Sequence, residues 1–372
     1  MSLLQIATPA ALIDEVLLAR NIQRMQHRVT ALGARLRPHV KTSKCLEVVR
    51  RQSLVGARGI TVSTLKEAEE FFDAGFSDIF YAVAIAPDKL DRALALAGRG
   101  CALTLLVDST LAARAIASRD RCSVDVMIEV DSDGHRSGVS PESDELIAIA
   151  MLLDRSAARL KGVMTHAGSS YELSDSASLR ALAEQERSSC VRAAKRLRDA
   201  RLACSEVSIG STPTALSADN LDGVTEVRAG VYAFFDLVMV NVGICEPADL
   251  ALSVLTTVIG HQRDRARIIV DAGWMAMSRD RGTQHQSRDF GYGLVCDLAG
   301  APIIGLAFTS ANQEHGLIDC SGLSEPDLDR FPIGARLRIL PNHACATGAQ
   351  FPFYQAVNAE GVVRPWARFN GW

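Results

Sequence analysis

The chain has 372 residues, 48% hydrophobic and 22% charged, enough for a sizeable core and more than one domain usually holds. A net charge of −3 and a pI near 6.3 exclude the basic footprint of a nucleic-acid binder. No apolar run reaches the roughly 18 residues a membrane helix needs, and residues 1–6 lack the basic region and apolar core of a secretory leader.

Residues 8–14 are strand-like. An amphipathic helix follows around Ala19, Asn21, Ile22 and Met25 and ends near Leu32 and Gly33. Residues 36–40 read as a strand. Further strands are expected at 59–63, 79–83, 103–106, 124–130, 160–165, 206–209 and 225–229, with helical patterns between them and a long helix over 181–202. Alternating strand and helix imply parallel strands, and about eight such units close naturally into a barrel. The expected fold is α/β: an N-terminal (β/α)8 TIM-type barrel over 15–244. An open doubly wound sheet is less suited, because no Gly-x-Gly-x-x-Gly follows the first strand. After about residue 245 helical periodicity fades. Residues 252–259, 266–270, 294–297, 303–308, 336–340 and 361–366 read as strands of a mainly β C-terminal domain, formed by 245–372 together with 1–14.

The nine cysteines stand at 45, 101, 122, 190, 204, 245, 296, 320 and 345. Their odd number and the lack of any Cys-x-x-Cys argue against a disulfide framework and for a reducing cytoplasm. Most read as small buried apolar residues. Cys345 differs because His343 stands two positions before it.

Three features suggest chemistry. Alternation along residues 36–41 puts Arg37, His39 and Lys41 on one face, which in a barrel points inward. A partly buried lysine beside Arg37 is disfavoured in its charged form and suits imine formation; the plainer alternative is a surface lysine on a basic turn, since Lys44 follows. Gly210-Ser211-Thr212 and Arg228-Ala229-Gly230-Val231-Tyr232 follow the last two barrel strands, where such barrels commonly bind phosphate, although glycine and serine also favour ordinary turns. His343 and Cys345, if extended, project from one face and offer imidazole and thiolate to zinc or a similar ion. The alternative is one half-buried histidine and one buried cysteine. Glu314 and His315, with the cluster 271–274, are candidates to line the same site as ligands, relay or polar turn.

Together these residues resemble the D-serine dehydratase and D-threonine aldolase family, whose fold is that of alanine racemase-like pyridoxal phosphate enzymes. The resemblance runs over essentially the whole chain. It is carried by Arg37-Pro38-His39-Val40-Lys41-Thr42, Asp133-Gly134-His135-Arg136-Ser137-Gly138, Gly210-Ser211-Thr212, residues 226–232, Asp271-Ala272-Gly273, Glu314-His315-Gly316 and Pro341-Asn342-His343-Ala344-Cys345. It implies pyridoxal 5'-phosphate held covalently by Lys41. Arg136 would bond the cofactor's phenolic oxygen, and Tyr171 would lie by its ring. Gly210, Ser211, Thr212, Gly230 and Tyr232 would hold its phosphate. His343 and Cys345 would bind a divalent metal: zinc, or a manganese-, magnesium- or cobalt-type ion. His39, His166, Glu314 and His315 would be substrate or outer-shell residues.

Family aldolases usually carry Asp where this chain has Cys345, so the resemblance implies a dehydratase. Residues 165–172 and 342–352 resemble the branch acting on D-threo-3-hydroxyaspartate, giving oxaloacetate and ammonia; D-serine would give pyruvate. The alternatives are an aldolase releasing glycine and an aldehyde, a non-catalytic pyridoxal phosphate carrier, and an amino-acid racemase. A small-molecule substrate, no nucleic-acid or membrane partner, and a homodimer with the site near the subunit interface complete the expectation. His135, Arg281 and Arg288 are candidates to meet a substrate β-carboxylate.

Overall fold

The computed structural model describes residues 3–119, 123–324 and 328–372; Cys122 lies outside them. The chain divides into two compact units, Gln23–Gly230 with Gly371–Trp372, and Met1–Ile22 with Val231–Asn370.

The first unit is a β/α barrel. Its eight parallel strands are Arg35–Leu36, Ile60–Val62, Asp78–Ala84, Ala102–Val107, Asp125–Glu129, Arg159–Met164, Glu206–Ile209 and Glu226–Val227. Each pairs with the next from Ile60 onward, and the last returns to the first. The ring closes at an isolated parallel bridge between His39 and Thr61. Three backbone bonds secure that seam: Arg58 N–H to Leu36 O (2.9 Å), Thr61 N–H to Pro38 O (2.8 Å) and Val40 N–H to Thr61 O (2.9 Å).

The surrounding helices start where short polar side chains can cap them. Thr64 accepts from Glu67 N–H, Ser109 from Ala112 N–H, and Asp175 from Ala177 and Ser178 N–H. The long helix Ser176–Asp199 buries a stripe of Leu179, Leu182, Ala183, Glu186, Cys190, Ala193, Ala194 and Leu197 against the barrel. Gly162 sits at a register shift between the fifth and sixth strands with φ +156, where a Cβ would strike the Glu206 backbone.

At the end where the strands begin, charges fill the barrel. Arg37 Nε donates to Glu226 Oε2 (2.6 Å), and its Nη1 donates to Asp78 Oδ1 (2.7 Å). Arg35 Nη2 donates to Glu206 Oε2 (2.5 Å) and Glu226 Oε2 (3.0 Å). Burial works to raise Glu226, but Arg37 and Arg35 outweigh it and hold the carboxyl below its ordinary value. A cavity of about 390 Å³ opens at this floor, lined by Arg35, Arg37, Arg58, Asp78 and Glu226 among others. Arg37 therefore points inward as alternation expects, but it is neutralised by carboxylates and is not the like-charge neighbour of Lys41. Above the floor Phe80, Leu106, Met127 and Met164 form a buried apolar layer.

The second unit is built on a nine-stranded sheet among the described residues. Leu252–Gln262 is its spine, pairing antiparallel with Ala10–Asp14, Arg267–Val270 and Arg336–Leu340. Ala10–Asp14 also pairs in parallel with Phe353–Val357, so the N-terminal strand joins this sheet. Val254, Val258, Ile268, Val270, Phe308, Ile318 and Ile339 are core residues. Asp271 ties the sheet together, accepting from Thr256 Oγ1 (2.7 Å), Thr257 N–H (2.9 Å) and Thr8 Oγ1 (2.6 Å). The strand expected at 303–308 lies instead at Ala307–Ala311, because residues 303–305 turn through Gly305 at φ +93. Gly316–Asp319 and Phe353–Val357 are strands that the sequence pattern did not reveal.

No described helix is long and apolar enough to cross a membrane. Replacing Arg37 with Leu would leave the buried Glu226 with the more exposed Arg35 as its one paired cation, beside the Ser208 hydroxyl. A loss of about 3 kcal/mol is expected, read as a lower midpoint in denaturant; an unchanged midpoint would show that the floor network is dispensable.

Candidate active site

The loops leaving the far ends of the barrel strands carry the candidate cofactor residues. The first strand stops short and the His39 bridge closes the barrel, so Lys41 falls in the turn 40–43. The expected strand face therefore ends at His39, and Lys41 is exposed, not partly buried. Its Nζ makes no hydrogen bond or ion pair among the described residues. Lys44 differs, since its Nζ pairs with Glu67 Oε1 at 3.1 Å and Glu67 is fully buried. The two lysines of the motif are thus separated by structure into one that is tied down and one that is free.

Around Lys41 lie two half-buried histidines. Burial pushes His39 well below its ordinary value, and Lys41, Arg228, His166 and Arg136 add to the effect. Burial, then Lys41, Arg136 and Arg228, push His166 down to about 3 against the hydrogen bond that Gly210 O accepts from the ring. The separation from His166 Nδ1 to Gly210 O is 3.3 Å. Both rings are neutral at physiological pH, and the field around them is cationic. Arg228 is buried, with Nε on Ser208 Oγ (2.8 Å) and Nη2 on Thr165 O (2.5 Å). Arg136 is exposed and reaches toward Glu129 Oε1 at 3.9 Å. Tyr171 follows His166 on a short 3-10 turn, their ring centroids 6.1 Å apart.

The two glycine loops have the backbone approach that a phosphate needs. Gly210 has φ +116, and a Cβ there would meet Val227 Cγ1 at 3.0 Å. At Gly230 a Cβ would press on His39 O at 2.9 Å, so only glycine lets this loop lie against the lysine turn. Ser211 caps the short helix Thr212–Ser217 and shares a reciprocal capping box with Thr214. Its hydroxyl also meets Ser170 Oγ at 2.9 Å. Thr212 is buried beside it, and Tyr232 is buried in the second unit. Beneath the loops, Glu186 Oε1 accepts from Ala167 N–H (2.9 Å) and Gly210 N–H (3.2 Å). One carboxylate of the long helix thus joins the His166–Tyr171 loop to the phosphate loop. An open ring of cations, backbone kept bare by glycine and a free amine fit a phosphorylated aldehyde.

The metal pair lies in the second unit, but not on a strand. His343 is the N-cap of the short helix Ala344–Gly348, and Cys345 is that helix's second residue. The i, i+2 spacing still brings them together, because the chain turns from extended to helical between them, and their side chains hydrogen-bond. His343 Nδ1 lies 2.5 Å from Asp280 Oδ2. Asp236 is buried and accepts from Ala344 N–H (2.9 Å) and Met239 N–H (3.1 Å). Burial opposes charging His343, yet the bonds to Asp280 and Cys345 push it up to about 11. These surroundings favour positive charge, as a cation site requires. Among the described residues no group of three or more His, Cys, Asp and Glu side chains could hold a metal alone. A two-residue donor set leaves coordination positions for substrate or water.

Glu314 and His315 lie exposed on the turn between Ala307–Ala311 and Gly316–Asp319. Asn312 O and Gln313 O accept from Trp274 and Met275 N–H, so the clusters 271–274 and 312–315 are neighbours, but Asp271 is committed to the sheet. Arg281 is paired with Asp289 at 2.6 Å and Arg288 lies over Phe290. His135 rests on Gly168, where a Cβ would meet its ring. Of the three candidates for a substrate carboxylate, His135 alone belongs to the barrel loops. None of the eight described cysteines is in a disulfide; seven are buried, and Cys345 is the half-buried one. Sequence reasoning missed Asp236 and Glu186; the available signals were the place of Asp236 before the apolar run 237–240, as an N-cap, and an acidic residue at 186 among the apolar positions of the long helix. Asp280 carried no sequence signal.

A β/α barrel with a lysine beyond its first strand, continued by a β domain, defines the alanine racemase-like class. Residues 13–238 match the family model described as alanine racemase, N-terminal domain, and residues 251–357 match a putative serine dehydratase domain. The chain belongs to the alanine racemase-like D-serine dehydratase family. It is 60% identical over 377 residues to D-threo-3-hydroxyaspartate dehydratase of Delftia sp. (strain HT23), covering 100% of this chain and 99% of that protein. The solved structure of that enzyme superposes with a TM-score of 0.98, covering 100% of both chains. A cysteine-to-alanine variant of D-threo-3-hydroxyaspartate dehydratase, 60% identical with the same TM-score and coverage, is described as metal-free. D-serine dehydratase of Dictyostelium discoideum is 30% identical over 380 residues, covering 96% of this chain and 94% of that one.

His166 has a folded value below its unfolded one, so protonation favours the unfolded chain. The stability its neutral ring contributes is complete above about pH 6.5 and is lost progressively as pH falls toward 3. Ring nitrogen NMR of the folded protein should show His166 neutral at pH 5; a midpoint near 6.5 would contradict the cationic, buried setting.

Proposed function

We propose that this chain is a pyridoxal phosphate- and divalent-metal-dependent dehydratase that converts D-threo-3-hydroxyaspartate to oxaloacetate and ammonia, and D-serine to pyruvate and ammonia. The observation that carries the reading is the 60% identity, over the full length, to a dehydratase of that substrate. The adjoining His343 and Cys345 side chains support the metal requirement, with zinc or a manganese-, magnesium- or cobalt-type ion as the occupant. Solved variants of the related enzyme alter one histidine and one cysteine two positions apart, the spacing of His343 and Cys345. Homodimers are general in the family, and the reading extends to one here, with the site near the subunit interface.

When bound, pyridoxal phosphate supplies an electron sink for charge developing at the substrate Cα, and the metal supplies a Lewis acid at the β-hydroxyl. Lys41 would anchor the cofactor covalently, and its exposed Nζ would serve as the base for the Cα proton. Gly210, Ser211, Thr212, Gly230 and Tyr232 would hold the phosphate, Arg136 would bond the phenolic oxygen, and Tyr171 would lie by the ring. His39 and His166 remain neutral beside the lysine, so neither competes with it as a cation. His343 and Cys345 would hold the metal, and two protein donors would leave positions for other ligands. Cys345 in place of an aspartate favours water loss over carbon–carbon cleavage.

Incubation with D-threo-3-hydroxyaspartate should yield ammonia and a 2-oxo acid, and a chelator should suppress turnover. Glycine with an aldehyde would establish the aldolase reading instead. Borohydride reduction followed by peptide mass analysis should place pyridoxal phosphate on Lys41 and find none in Lys41→Ala; label on another lysine would remove Lys41 from its role.

A further inference from the structure

The geometry points to Asp280 as the positioning residue that orients the imidazole of His343 for metal binding. This rests on the metal reading of the His343 and Cys345 pair. Asp280 Oδ2 lies 2.5 Å from His343 Nδ1, within the reach of a charge-assisted hydrogen bond to one ring nitrogen. With the Nδ1 proton directed at a carboxylate, the Nε2 lone pair is the one left for a cation. Ligating histidines commonly donate their second nitrogen in this way, which fixes both tautomer and ring plane.

The segment carrying Asp280 is itself braced against the helix that carries Cys345. Thr347 Oγ1 donates to Met277 O (2.8 Å). Ser278 turns the chain at φ 75, and its Oγ accepts from Asp280 N–H (3.1 Å). The Arg279 guanidinium stacks 4.0 Å from the Trp274 ring centroid, on the residue that opens the short helix Trp274–Met277. Gly282 N–H also bonds the Asp280 carboxylate. Asp236 acts elsewhere, holding the backbone N–H of Ala344 between the two donor residues without reaching a ring nitrogen. One carboxylate sets the chain path of the pair and the other sets the ring.

The test is zinc binding by the holoenzyme, stripped with chelator and titrated with zinc chloride under calorimetry. The wild type, Asp280→Asn, Asp280→Glu and Cys345→Ala are compared, with bound pyridoxal phosphate monitored throughout. Asp280→Asn should weaken zinc binding by about 10- to 100-fold with cofactor content and thermal midpoint unchanged, and Asp280→Glu should recover part of the loss. Wild-type affinity in Asp280→Asn overturns the assignment. Failure of the wild type itself to bind zinc overturns the metal reading, a distinct outcome. Should Asp280→Asn not fold, nitrogen NMR of zinc-loaded wild type decides: a proton on Nδ1 of His343 with zinc on Nε2 supports the inference, and zinc on Nδ1 ends it.

Discussion

The structure depends on one seam. A (β/α)8 ring must bring its first strand back to its last, and here the first strand is only Arg35–Leu36. The remainder of the closure falls to residues 38–40, bonded to Thr61 on one side and to Ala229 on the other, where His39 N–H donates to Ala229 O at 2.8 Å. The chain is held on both flanks up to His39 and then released, which places the turn of Lys41 at the barrel's mouth. Gly230 completes the arrangement, since any side chain there would push the eighth-strand loop off His39. The lysine turn and the Gly230 loop are therefore adjacent because the same two backbones close the barrel.

Each unit then supplies a field suited to a different guest. Lys41, Arg136 and Arg228 surround His39 and His166 with positive charge and keep both rings neutral. Such a field suits anionic groups. Around His343 the sign is reversed: Asp280, Asp236 and Cys345 all favour its cation. The same side-chain type is made neutral in one place and charged in the other by its neighbours alone.

Local patterns revealed most of the barrel, because each of its strands pairs with the next in sequence and each carries its own apolar run. The strand 206–209 and the sheet strand 336–340 have the ends that the pattern gives. Gly316–Asp319 and Phe353–Val357 were obscured, since the first follows a turn whose Glu314 and His315 look like ligands. The second pairs with Ala10–Asp14 from the other end of the chain. Partners outside the local window were equally hidden. Alternation correctly turned Arg37 inward but could not supply Glu226 and Asp78, which neutralise it. The motif residues of the site were legible because their types are rare in combination; the carboxylates that hold them, Glu186 and Asp280, are ordinary residues given meaning only by folding.

Cys345 shows how context decides such a residue. Cys101, Cys190, Cys204, Cys296 and Cys320 have thiols pushed up chiefly by burial, which makes them inert packing groups. Cys345 stands half-buried at a helix start, hydrogen-bonded to an imidazole whose own position is fixed by a carboxylate. A thiolate in that setting needs a cation partner close by, and a soft donor beside imidazole selects a first-row metal over magnesium when both are at hand. An aspartate at the same position would present a hard oxygen and a longer, freer side chain. The choice of cysteine over aspartate therefore changes which metals such a pair would hold best.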